Sequence, residues 1–92
     1  MTTLHIEHAI TDFSVWNAAF DRFAEVRRQA GVLGHRVKRP VDDANYVVIE
    51  LDFDNIDEAK RFLAFLQTNV WTNKQSSPGL AGAPSTRILE PA

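Results

Sequence analysis

The chain has 92 residues, 45% hydrophobic and 24% charged, with a formal net charge of -2 and no cysteine. This length suits one domain over residues 1–92, with much of its surface left to solvent or to a partner. The composition excludes a disordered or fibrous chain. The mixed charges exclude the basic excess that grips nucleic acid or anionic lipid, and the lack of cysteine excludes disulfides, thiolate nucleophiles and Cys-based metal centres.

The opening MTTLHIEH has no leader character, and no run approaches the roughly 18 apolar residues of a membrane span, so a cytoplasmic protein without a membrane partner is expected. Leu4 to Ile10 alternates as a half-buried strand, with Leu4, Ile6 and Ile10 on one face, His5, Glu7 and Ala9 on the other, and His8 on the apolar side. From Phe13 the period lengthens. Phe13, Trp16, Phe20, Phe23 and Ala30 recur at steps compatible with one amphipathic helix, capped by Asp12 or Ser14 and stopped at Gly31.

Val32 to Pro40 and Tyr46 to Phe53 flank VDDAN, whose side chains suit a turn, so the two segments are expected to pair as a hairpin. Val47, Ile49, Leu51 and Phe53 form the helix-facing row of the second strand, and Tyr46, Val48, Glu50 and Asp52 the opposite row. Asn55 with Glu58 has capping-box spacing, and Ala59, Phe62, Leu63 and Leu66 make the stripe of a second helix. Thr68 to Pro84 is polar and rich in turn residues, with VWTNK suited to a short helical turn. Ser85 to Leu89 is the predicted last strand.

Strand, helix, strand, strand, helix, strand is an α+β order that predicts a ferredoxin-like βαββαβ unit: a four-stranded antiparallel sheet with both helices on one face. The other face is left open, and a second copy of the sheet would cover it, so a homodimer is expected.

His5 and His8 are three apart in a strand and point to opposite faces, so they cannot share a metal, and no metal site is expected. His8 ends an apolar row just before Asp12. It is either a buried imidazole donating to the loop or to Asp12, or a general base oriented by Asp12. His35, in the second strand, and Glu50 are the other available bases. Trp16 belongs to the core stripe, whereas Trp71 stands outside any apolar period and reads as pocket wall or dimer contact. Tyr46, Val48, Glu50 and Arg87, with His5 and Glu7, gather on the open face as a ligand-binding or interface group. No GxGxxG or Walker pattern occurs, and no nucleotide cofactor is expected.

HAITDFSVWNAAFDRF, VDDANYVVIELDFDNIDEAKRFL and PGLAGAP together resemble the small dimeric α/β-barrel proteins related to the antibiotic biosynthesis monooxygenases, over nearly the whole chain. The resemblance implies two ferredoxin-like protomers packed sheet against sheet, with a pocket between sheet and helices or in the barrel lumen. Relatives include cofactor-free oxygenases of polycyclic phenols, haem-degrading enzymes and dimers of no established activity. The haem-degrading type needs an axial histidine after its tryptophan, and none follows His35, so haem is not expected. The cofactor-free oxygenases resemble one another in an asparagine one turn before a tryptophan; here Gln67 precedes Trp71. The functional expectation is a homodimer that binds a small apolar or aromatic ligand and works without cofactor, as a monooxygenase-like or cyclase-like enzyme. The alternative is a non-enzymatic ligand-sensing or structural dimer.

Overall fold

Side-chain alternation decides which face of the sheet is dry, and it does so in a computed structural model that describes residues 1–92. The elements are β1 (Thr2–Ile10), α1 (Phe13–Arg22), α2 (Ala24–Gln29), β2 (Gly34–Lys38), β3 (Tyr46–Phe53), α3 (Ile56–Phe65), a π-helical turn (Leu66–Val70) and β4 (Leu80–Leu89). The strands lie in the order β2-β3-β1-β4, and every neighbouring pair is antiparallel. This is the ferredoxin-like arrangement, with β1 and β3 central because they carry the most apolar rows.

Leu4, Ile6 and Ile10 of β1 and Val47, Ile49, Leu51 and Phe53 of β3 form one buried layer. Trp16, Ala59 and Phe62 close over it from the helices. Each large side chain so buried contributes about 1.5–3 kcal/mol, which makes this layer the main source of stability. No helix is long and apolar enough to cross a membrane.

Local signals explain the element ends. Asp12, not Ser14, caps α1, its carboxylate accepting from the Val15 N–H at 3.0 Å. Asn55 caps α3, accepting from the Glu58 N–H at 2.9 Å. Past α2 the Val32 N–H reaches back to the Arg27 carbonyl and the Gly31 N–H to that of Arg28, a double closure that needs Gly31 at φ +94°.

Three features depart from the sequence expectation. The first predicted helix is two, broken at Phe23, whose N–H turns back to the Phe20 carbonyl at 3.2 Å. The second runs on past Phe65 as the π-helical turn, in which the Trp71 N–H bonds to the Leu66 carbonyl, five residues back. The last strand starts at Leu80 rather than Ser85. Its added residues pair with Ala9 and Ile10, and a bulge around Gly82 (φ +72°) and Pro84 faces His8, where the β1–β4 register shifts. Glycine and proline so close together resemble a turn in sequence, yet a bulge takes them without ending the strand.

Candidate functional site

A cavity of about 80 Å³ lies between the helix-facing side of the sheet and the helices. By comparison, roughly 150 Å³ of apolar void admits benzene, so this space fits a slim apolar chain or part of a ring. Most of its lining is hydrophobic. The chemistry comes from His8, Arg27 and two serines, Ser76 and Ser77.

His8 is the last inward side chain of β1 before Ile10 and is only 4% exposed. Its Nδ1 lies 2.8 Å from the Ala9 carbonyl oxygen. A carbonyl can only accept, so Nδ1 carries the proton and Nε2 the lone pair. Nε2 makes no hydrogen bond, yet no buried side-chain nitrogen or oxygen is left unpartnered, so Nε2 opens onto the cavity that His8 lines. Burial pushes the imidazole pKa below its usual value, with the Ala9 contact opposing. His8 is thus a neutral base aimed into an apolar space. Asp12 does not orient it, because that carboxylate is spent on the α1 cap.

An aromatic wall runs from His8 along α1. The His8 and Trp16 rings meet edge-on at 6.3 Å, and Trp16 stacks on Phe20 at 5.1 Å. Arg27 then lies over the other end, its guanidinium carbon 3.7 Å from the Phe20 ring centroid. Arg27 is 7% exposed, donates from Nη1 to the Phe20 carbonyl, which also accepts from the Phe23 N–H at the helix break, and forms no ion pair. Burial lowers its pKa, and the charge of Asp21 partly offsets this.

Trp71 lines the cavity half-buried, packed on the core beside Val70. The stretch that follows closes the cavity through Ser76, Ser77 and Pro78. It is anchored by Gly79, whose carbonyl accepts from the Thr11 N–H at 2.8 Å. Gly79 has φ +84°, and a Cβ there would lie 3.1 Å from the Trp16 backbone nitrogen.

The remaining sequence candidates lie elsewhere. Gln67 is exposed on the π-helical turn and does not line the cavity. His35 faces the helix side of edge strand β2, exposed, with its ring edge-on to Phe20 at 5.3 Å. Tyr46, Val48, Glu50 and Arg87 sit on the opposite face of the sheet, in rows with His5 and Glu7. There the side chains form a continuous chain of contacts. The Tyr46 hydroxyl donates to Glu7 at 2.8 Å, and the two His5 nitrogens face Glu7 at 2.8 Å and Glu50 at 3.2 Å. Arg36 then bridges Glu50 at 3.2 Å and Asp52 at 2.9 Å.

Both His5 nitrogens can donate to carboxylates only in the imidazolium, and the Glu7 contact chiefly holds its pKa above the usual value. His5 and Arg36 in turn hold Glu50 below the ordinary carboxylate range, which weakens it as a base. The structure therefore divides the candidates, with His8 and Trp71 at the cavity and the rest outside it.

Arg27 is the site residue that sequence reasoning missed, and a signal for it was present. Trp16, Phe20, Phe23, Arg27 and Ala30 follow one another by steps of four, three, four and three, so a cation occupies a position in the apolar stripe.

No protein-family model matches the chain, and no curated protein matches it significantly in sequence. Solved structures do resemble it. A Bordetella bronchiseptica protein described as a candidate antibiotic biosynthesis monooxygenase superposes with a TM-score of 0.75 at 12% identity, over 99% of this chain and 97% of that one. Another protein described as an antibiotic biosynthesis monooxygenase gives 0.69 at 11% identity, over 100% and 99% of the two chains. A protein from an uncultured marine organism, described as dimeric and ferredoxin-like, gives 0.60 at 12% identity, over 96% and 94%. From end to end, this chain has the ferredoxin-like fold that it shares with the antibiotic biosynthesis monooxygenase-like proteins.

Proposed function

We propose that the chain binds a small apolar or aromatic molecule in the cavity between sheet and helices, and that His8 is the general base of a cofactor-free, monooxygenase-like or cyclase-like reaction. The observation that carries this reading is the unprotonated Nε2 of a buried histidine opening onto an apolar space. Nε2 would take a proton from a phenol or an activated C–H group. The Ala9 carbonyl already accepts from Nδ1 and would stabilise the imidazolium that forms, while the dry walls shield the resulting phenolate or carbanion from water. Dioxygen is the co-reactant in the monooxygenase case. Glu50 and His35 lie outside the cavity and have no part in this step.

We also infer that the open sheet face packs on a second copy. The fold supports this, since it leaves that face without helices, and one of the solved neighbours is described as dimeric. Light scattering at micromolar concentration is expected to return twice the 10.4 kDa chain mass, and a monomer would overturn the assembly.

Trp16 and Trp71 both line the cavity, so ligand binding is read directly from tryptophan emission. Titration with small one-ring phenols is expected to give saturable changes, with oxygen uptake accompanying binding of a substrate. His8→Gln should keep the binding and lose the uptake. Binding without any turnover in the unmodified protein would favour a ligand-sensing module, and no binding at all would refute the cavity as a site.

A further inference from the structure

We propose that Arg27 is an anion anchor, so that the ligand of this cavity is a monocarboxylate whose apolar tail lies among the hydrophobic walls and whose head is held by the guanidinium. The proposal rests on the reading of the cavity as the ligand site and adds the chemical class of the ligand.

A guanidinium offers five N–H donors, and protein groups engage Arg27 at one of them, from Nη1 to the Phe20 carbonyl. Nε and Nη2 are not sealed against apolar protein, because no buried side-chain nitrogen lacks a partner. They face accessible space, and Arg27 lines the cavity. Elsewhere, Arg28 is paired with Glu25, and Arg36 with Glu50 and Asp52, although both are far more exposed. Withdrawing a cation from water with only the more distant charge of Asp21 to offset it and no ion-pair contact is expensive, and a carboxylate supplied from outside would match the fork with two parallel hydrogen bonds. The Phe20 ring beneath and its carbonyl beside hold the fork in one orientation, so little freedom is lost when an anion docks.

The surroundings favour a monoanion with an apolar body. Apart from Arg27, the polar lining consists of His8, Ser76 and Ser77, with no carboxylate to repel the head and no second cation to call for a phosphate or a diacid. The small volume suits a slender tail.

The experiment compares octanoate with octanamide, and 4-phenylbutyrate with its amide, by calorimetry and tryptophan emission at pH 7.5. The proteins compared are the unmodified chain, Arg27→Met and Arg27→Lys. In the unmodified chain each acid is expected to bind at least about tenfold more tightly than its amide, the scale of a charge-assisted hydrogen bond. Arg27→Met should bring the ratio to about one, the acid losing far more affinity than the amide. Arg27→Lys, which keeps the charge and loses the fork, should fall between. Equal affinity for acid and amide in the unmodified chain would overturn the anchor and leave the cavity reading standing, with Arg27 only bracing the helix break. A preference that survives in Arg27→Met would also overturn it. If no probe binds, both readings fall. Because the acid-to-amide ratio is measured first in the unmodified protein, the outcome does not depend on the methionine variant folding.

Discussion

The anchoring of the cavity wall at Gly79 can be tested by adding a single methyl group. In Gly79→Ala the new Cβ would stand 3.1 Å from the Trp16 nitrogen and 3.2 Å from its Cα and Cβ, closer than ordinary van der Waals contact. Trp16 cannot easily yield. It belongs to the first turns of α1, its N–H bonds to the Asp12 carbonyl at 3.1 Å, and Asp12 caps the helix. The positive φ adds a second penalty, about 1–2 kcal/mol for an L residue. Gly82 separates the two terms, since it has φ +72° and nothing within 4 Å of an added Cβ. Gly82→Ala should therefore cost about 1 kcal/mol, through backbone alone. Gly79→Ala should cost about 2–4 kcal/mol, the excess being overpacking against α1. At roughly 4–8 °C per kcal/mol for a domain of this size, thermal unfolding followed by circular dichroism should separate the two variants by several degrees at least. If Gly79→Ala is no less stable than Gly82→Ala, then the segment is not seated on α1 as described and the wall of the cavity is misplaced.

The two histidines of β1, His8 on the buried side and His5 on the open face, have opposite pH signatures. His8 has its pKa lowered from 6.5, so its contribution is complete above about pH 6.5 and is lost as pH falls through 6.5 toward the folded value. His5 has its pKa raised from 6.5, so its contribution is present below 6.5 and is lost as pH rises through the folded value. Urea unfolding between pH 5 and 8 should show His8→Gln removing acid sensitivity and His5→Gln removing sensitivity on the neutral side; slopes changed in the reverse sense would refute both assignments. Asp12→Ala should cost about 1 kcal/mol by loss of the α1 cap, measured in the same assay, and should leave the His8 signature unmoved. A shifted His8 titration, followed by NMR of the ring protons, would restore Asp12 as its partner.

Period two was the most legible part of the chain. In Tyr46 to Phe53 every second residue is buried, as the alternation requires, and the β1 pattern placed His8 inward even though a histidine is not an obvious core residue. Caps were legible as well, because Asp12 and Asn55 act on donors only three residues away. What escaped was geometry that departs from a regular period. Trp71 fits no α-helical stripe because the π-helical turn sets it against Leu66, five residues back. Leu80 and Ala81 are paired strand and Gly82 to Pro84 a bulge within it, yet the stretch has the composition of a loop. Arg27 was hidden by its own charge, since a guanidinium inside an apolar stripe is recognised only when the surrounding positions are seen to be buried.

The bulge in β4 matters for assembly as well as for the local register. β4 is an edge strand, and Pro84 within it has no N–H to offer to an approaching chain. On the far side, β2 is only five residues long and is followed closely by Pro40. Both flanks of the sheet thus resist recruitment of further strands, so stacking into ribbons or fibrils is blocked at either margin. Guarded margins beside a bare face favour association face to face over edge to edge, which is the geometry of the closed pair proposed above.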